Sequence, residues 1–330
     1  MQINFLPGAT AFGRLENEWN ELSGRGMTAT PFQTLPYQQS WWGNLGAGDL
    51  LTLTARNKTG ILQGIGCFYL LDGILKFNGC TEESDYLDLI SPAAHAAPVW
   101  AAFLQRMVAT DFPSWSAMDL CNIPASSPTR SILPELATSY GWSVQESVFE
   151  VCPVITLPAS FADYLASLDK KQRHEVRRKL RRADGAGATL HITQPEDDLV
   201  AAVDTFLDLL AQSSPEKAAW LDSGRRAHFH EVATAALAEG TLQLQFLMVG
   251  DQPAAVLFNF DYQDRIWVYN SGLDMANFAR LSPGVVLTAR AIEQAIATGR
   301  GHFDFLRGNE TYKYRFGAAD TEIYRIQISR

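Results

Sequence analysis

No stretch of this 330-residue sequence approaches the roughly 18 uncharged apolar residues that a membrane-spanning helix requires. The first seven residues also lack the basic start and long apolar centre of a secretory signal, so a cytoplasmic location and no membrane span are expected. Cysteine is scarce: Cys67, Cys80, Cys121 and Cys152 lie too far apart for a paired-cysteine metal site, each in or beside an apolar segment. They are expected as reduced, mostly buried thiols, and no metal is expected. Positive charge is in deficit, with a formal net charge of −9. That argues against nucleic acid as a partner over the whole surface.

The deficit is interrupted once. Between residues 170 and 182 the only acid among many lysines and arginines is Glu175. Leu168, Val176 and Leu180 keep an apolar stripe at helical spacing, while Lys170, Arg173, Arg177 and Arg181 fall on another face. The segment reads as a surface helix. Its basic side is either solvated or, through Arg173 and Arg177, a patch that holds a phosphate.

With 47% hydrophobic residues the chain is long enough for two ordinary domains, expected at 1–157 and 158–330. In the first, a strand at 2–6 and a helix at 10–23 precede strands at 50–56, 61–71 and 73–78, joined by turn signals at Thr59–Gly60 and Asp72–Gly73 as an antiparallel meander. Residues 84–90 then alternate as a strand. Their polar members Asp85, Tyr86 and Asp88 either lie solvated at a strand end or line a cleft. Helices and two more strands follow to residue 157. The second half repeats a similar order of elements without sequence repetition, giving an α/β (α+β mixed sheet) fold class.

Residues 301–318 concentrate the chemistry. Alternation from His302 to Leu306 turns Phe303 and Phe305 towards a core and Asp304 away from it; Arg307 and Gly308 break the strand before a short helix carrying Glu310, Tyr312, Lys313 and Arg315. Titratable groups of both signs converge within one turn. Asp304 is a candidate base or else an ion-pair partner of Arg307 or Lys313 that fixes the turn.

Three passages carry a family resemblance: Thr30-Pro31-Phe32-Gln33 followed by Trp41-Trp42, then Ser84-Asp85-Tyr86-Leu87-Asp88-Leu89, then the closing Tyr312-Lys313-Tyr314-Arg315-Phe316. The chain resembles the tandem GNAT proteins of the CelD/BcsL type, named for cellulose biosynthesis. It is similar, more distantly, to the Fem-type peptidyltransferases, which move an amino acid from aminoacyl-tRNA onto a peptidoglycan precursor. The resemblance implies two GNAT-like domains in tandem and transfer of an acyl group from acetyl-CoA or another acyl-CoA to an amine or hydroxyl of a polar acceptor: a small molecule that bears a phosphate, a sugar or a peptide. It implies Asp304 as base, Tyr312 as acid for the departing thiolate and Lys313 as a further catalytic or anion-holding group, with Arg307 and Arg315 beside the substrate.

For the coenzyme, the resemblance points to the turn Ser282-Pro283-Gly284-Val285, where a helix start suits a pyrophosphate. Pro283 stands where the usual acyltransferase loop has glycine. Trp267 and Tyr269, on the preceding strand, either wall an acyl or pantetheine channel or pack in the core. Asp85, Tyr86, Asp88 and the basic helix would border the same cleft. The alternatives are a Fem-like reaction with tRNA as partner, and a non-catalytic binding protein of polysaccharide assembly.

Overall fold

The computed structural model describes residues 1–80 and 82–330 and divides into two compact units. The first comprises Met1–Val151 with Thr321–Arg330, and the second Cys152–Asp320. The first unit contains β1 (Gln2–Pro7), α1 (Thr10–Gly24), α2 (Leu35–Leu45), β2 (Asp49–Arg56), β3 (Leu62–Leu71), β4 (Ile74–Phe77), α3 (Ala96–Met107), β5 (Ala117–Pro124), α4 (Thr129–Ser139) and most of β6 (Ser143–Thr156). The second continues with α5 (Phe161–Ser167), α6 (Lys170–Gly185), β7 (Ala188–Ile192), α7 (Leu199–Ser213), α8 (Pro215–Trp220), α9 (Ser223–Ala238), β8 (Leu242–Val249) and β9 (Gln252–Tyr262). Then come β10 (Arg265–Leu273), α10 (Met275–Phe278), α11 (Pro283–Ala297), β11 (His302–Asp304) and α12 (Thr311–Arg315), and most of β12 (Ala319–Ser329) belongs again to the first unit.

In the first unit the strand order is β1-β2-β3-β4-β5-β12-β6. The turn signals at 59–60 and 72–73 do join an antiparallel run, since β2 pairs β3 and β3 pairs β4 in that sense. Helix α1 forms as its pattern demands: Phe12, Leu15, Trp19 and Leu22 recur at helical spacing and bury one stripe beside Leu50, Leu62 and Ile65.

Residues 84–90 depart from the expected strand. Ile90 alone forms a bridge, with Ile65, although the whole stretch is buried. Side chains replace the ladder: Asn122 Nδ2 donates to the Ser84 carbonyl at 2.7 Å, Thr30 Oγ1 to that of Tyr86 at 3.2 Å, and Gln33 Nε2 to that of Asp88 at 2.6 Å. Buried backbone must be satisfied, and these donors satisfy it without strand geometry. Asn122 adopts a left-handed conformation, φ 66°, while its own carbonyl accepts from the Leu87 N–H.

At the centre lies the Asp88 carboxylate. It accepts from Thr28 Oγ1 at 2.8 Å, Thr129 Oγ1 at 2.7 Å, Ser127 Oγ and the Leu89 N–H. Trp100 Nε1 in turn donates to Thr129 Oγ1 at 2.9 Å. Burial raises the Asp88 pKa, against the lowering effect of the Ser127, Thr129 and Thr28 hydroxyls.

The cysteine expectation needs correction: Cys80 and Cys121 form a disulfide, and only Cys67 and Cys152 are buried free thiols. The pair is 41 residues apart, but β4 and β5 run side by side, so the Cα atoms stand 6.2 Å apart. Spacing along the chain does not reveal such a pair.

In the second unit the order is β6-β11-β10-β9-β8-β7. Strands β7 to β10 run antiparallel to one another, β11 lies parallel to β10, and the last residues of β6 pair antiparallel with β11. One core joins Leu257, Ile266 and Val268 of the sheet to Val286, Leu287 and Ile292 of α11 and Val176 and Leu180 of α6. The N-cap of α6 is Asp169, whose carboxylate accepts from the Gln172 N–H at 2.9 Å.

Replacing Asp88 with alanine strands three hydroxyl donors and one amide. Denaturant titration of the Asp88→Ala protein should show the first unit less stable by about 3 kcal/mol or more, taking roughly 1–3 kcal/mol per orphaned group. An unchanged midpoint would mean that these hydroxyls find other acceptors.

Candidate active site

Parallel strands β10 and β11 stay together for three residue pairs, Arg265 with His302, Ile266 with Phe303 and Trp267 with Asp304. There they part. The register of β10 against β9 shifts between Val268 and Asn270, so a bulge sits at the point of parting. Strand β10 runs on to Leu273 along β9, leaving backbone groups on its other edge without a strand partner.

Side chains occupy that edge. The Ser271 N–H donates to Asn270 Oδ1 at 2.9 Å, Lys217 Nζ donates to the Ser271 carbonyl at 2.8 Å, and the Leu273 N–H donates to Ser213 Oγ at 2.9 Å. Beside it opens a cavity of about 380 Å³, walled by Leu257, Val268 and Leu273, the Ser282–Val285 turn, and Tyr312 and Phe316. A second cavity of about 280 Å³ shares Lys179, Val285, Tyr312 and Phe316 with the first and adds Lys171 and Arg315. An apolar slot thus leads to a charged rim, where Lys171, Lys179 and Arg315 stand with one acid, Glu175, that pairs with Lys179 at 3.5 Å.

The start of α11 forms one wall. Ser282 is left-handed, φ 55°, and its carbonyl accepts from the amides of both Val285, at 3.0 Å, and Val286, at 3.2 Å. Pro283 has no N–H, so Gly284 keeps the one first-turn amide outside this bonding among the described residues. A Cβ on Gly284 would sit 3.1 Å from the Leu273 side chain, so a larger residue there would press on that wall of the slot. Arg182 Nη1 donates to the Arg280 carbonyl at 2.5 Å, and Arg290 bridges to Asp184 at 2.6 Å, so α6 is tied to both sides of the turn. The donor set fits an acyl thioester with phosphates: an apolar slot, one amide at a helix start, and Lys171, Lys179 and Arg315 at the rim.

The expected residues are distributed unevenly. Ser282, Pro283, Gly284, Val285 and Tyr312 line the first cavity, and Arg315 the second. Tyr312 meets the Phe305 ring edge-on at 5.9 Å, and its hydroxyl sits where desolvation, then the charge of Glu310, raises its pKa. Arg173 and Arg177 line neither cavity; Arg173 donates to the Ala166 carbonyl at 3.0 Å, and Arg177 is exposed. Lys171 and Lys179, on the neighbouring face of α6, take their place. Trp267 and Tyr269 pack instead: Trp267 Nε1 donates to the Tyr262 carbonyl at 3.1 Å, and Tyr269 lies among Phe229, Phe258 and Phe260. Asp85, Tyr86 and Asp88 are buried within the first unit.

Asp304 and Lys313 are both buried and engaged. Asp304 Oδ2 accepts from Arg265 Nη1 at 2.8 Å, and Oδ1 from the Leu306 N–H at 2.8 Å. Arg265 is thus an ion-pair partner of Asp304. Lys313 Nζ donates to the carbonyls of Leu306 at 3.1 Å, Arg307 at 2.6 Å and Gly308 at 3.0 Å, and pairs with Glu310 at 2.9 Å. Leu306 and Gly308 both have positive φ, 57° and 105°, so this ammonium gathers the carbonyls of a tightly wound turn. Missed altogether were Lys179, Lys217 and the aliphatic walls Leu257, Val268 and Leu273. The signal for Lys179 was its place three residues beyond the buried Val176.

Known proteins bear out the architecture. Residues 170–314 match the family model described as an acetyltransferase (GNAT) domain. FemX superposes with a TM-score of 0.68 at 10% identity, covering 98% of this chain and 97% of that one. The fold is two GNAT-like domains in tandem. A conserved protein of unknown function from Bacteroides thetaiotaomicron gives 0.62 at 12% identity over all of both chains. The C-terminal domain of a putative lysylphosphatidylglycerol synthetase from Agrobacterium fabrum gives 0.58 at 8% identity, covering 97% of this chain and 93% of that one. A comparison with curated proteins gives no match. At these identities the likeness concerns the GNAT-like fold alone.

Lys313→Met should loosen the turn it gathers. Amide exchange across residues 306–316 should quicken by at least tenfold in that variant, because three carbonyls lose a buried donor. Exchange at the wild-type rate would remove Lys313 from this structural role.

Proposed function

We propose that the protein is an acyltransferase whose second unit binds an acyl thioester of coenzyme A and passes the acyl group to an amine or hydroxyl acceptor. The observation that carries this reading is the parting of β10 from β11 beside the apolar slot at the start of α11. The thioester supplies an activated carbonyl. The chain's residues do the rest: Leu257, Val268 and Leu273 keep water from the acyl chain, and Gly284, Lys179, Lys171 and Arg315 hold the phosphates. Tyr312, kept protonated at the slot, donates a proton to the departing sulfur. Asp304, engaged by Arg265 and Leu306, serves the site by fixing the turn that carries Tyr312.

The resemblance to CelD/BcsL-type proteins supports a place in polysaccharide assembly, with a sugar or peptide acceptor. A second reading, aminoacyl transfer of the Fem type, draws support from the charged rim, where Lys171, Lys179 and Arg315 suit a nucleic-acid phosphate as well as a coenzyme phosphate.

Calorimetry with acetyl coenzyme A and longer acyl thioesters tests the leading reading. Binding is expected, and Val285→Trp, which fills the shared wall of both cavities, should weaken it at least tenfold. No heat with any thioester, together with a salt-sensitive 1:1 complex with charged tRNA, would move the assignment to the second reading.

A further inference from the structure

The slot beside α11 is mostly aliphatic. Its lining grades from Met275, which is 51% exposed, to Val256 and Leu287, which are buried. The polar groups along its walls are largely engaged with their own neighbours. Thr288 Oγ1 donates to the Gly284 carbonyl at 2.8 Å, the Ser271 N–H and carbonyl are bonded to Asn270 and Lys217, and the Leu273 N–H is bonded to Ser213. Among the described residues that line the slot, the one charged side chain is Lys179, a cation.

This lining discriminates between the parts of a thioester. A pantetheine arm carries two amides, and each needs hydrogen-bond partners once it leaves water. The open edge of β10 could have supplied them, but its groups at Ser271 and Leu273 are bonded already. An aminoacyl group carries an ammonium, which would meet Lys179 and no carboxylate on these walls. A hydrocarbon chain needs neither partner nor counter-charge. At about 30 Å³ for a group the size of a water molecule, the slot of about 380 Å³ has room for roughly ten methylenes. The methyl of an acetyl group would fill one such place and leave the other walls without contacts.

We propose that the slot takes a medium-length aliphatic chain, about six to ten carbons by its volume, so that the donor is a fatty acyl thioester, neither an acetyl nor an aminoacyl one. This rests on the acyltransferase reading. The thioester lies at Tyr312, which lines both cavities, with the chain pointing into the slot and the phosphates towards the charged rim. Leu273 gauges the chain. It lines the slot, is only half-buried, and packs so close to the start of α11 that a Cβ on Gly284 would stand 3.1 Å from it.

Calorimetry with acetyl, butanoyl, hexanoyl and octanoyl coenzyme A tests the proposal. Each buried methylene should tighten binding about threefold, so octanoyl coenzyme A should bind about a hundredfold or more tighter than acetyl coenzyme A. The ω-aminooctanoyl thioester, alike in length but cationic at its end, should bind about tenfold or more weaker than octanoyl. Leu273→Trp should cut the octanoyl-to-acetyl ratio about tenfold or more, whereas Leu273→Ala should make decanoyl coenzyme A the tightest binder; opposite shifts at one position separate a chain gauge from misfolding. Equal affinity along the series, an ω-amino chain bound as tightly as octanoyl, or a ratio that neither variant moves overturns the proposal. If octanoyl pantetheine binds more tightly than acetyl pantetheine but no coenzyme A thioester binds, the chain inference stands and the coenzyme A donor falls. No heat from any thioester of either kind overturns both.

Discussion

Everything in the second unit depends on a sheet that stops being a sheet. Strands β10 and β11 share three residue pairs and then separate, and the bulge beyond Val268 makes the separation abrupt. An opened parallel pair exposes amides and carbonyls that must find partners. Here Ser213, Lys217 and Asn270 supply them, so the gap persists as a slot. Had β11 continued beyond Asp304, the ladder would have closed over the cavity that Tyr312 and Ser271 now line.

The turn after β11 serves that opening. A left-handed leucine and a positive-φ glycine cost conformational energy that three carbonyl bonds to one buried ammonium offset. Lys313 and Asp304 thus fix where Tyr312 and Glu310 stand. Catalytic and structural lysines and aspartates look alike in a sequence, because what separates them is whether their bonding capacity is already used. That property belongs to the folded chain.

The same distinction explains what the sequence revealed and what it hid. Periodicity placed α1, the β2-β3-β4 run and α6 well, since each rests on a local repeat of apolar residues. The turn at Ser282–Val285 was legible because helix starts have a local signature. The basic helix was legible as an element but not as a surface: Arg173 and Arg177 carried the obvious charge, whereas the face towards the slot was decided by Val176 and by how α6 lies on α11. Residues 84–90 alternate like a strand, yet Asp88 draws donors from four distant positions and the backbone follows it. Long-range bonding of that kind, like the Cys80–Cys121 disulfide, leaves no trace in spacing.

The last strand carries a consequence for biosynthesis. Residues 321–330 lie in the first unit, where β12 pairs with β5, although the whole of the second unit stands between them and the rest of that sheet in the chain. On the ribosome, a domain of continuous sequence can mature as soon as it emerges. The first unit must instead wait, with β5 lacking its neighbour, until translation has passed through the second. The edge of β5 is the segment that chaperones or aggregation would meet in that interval.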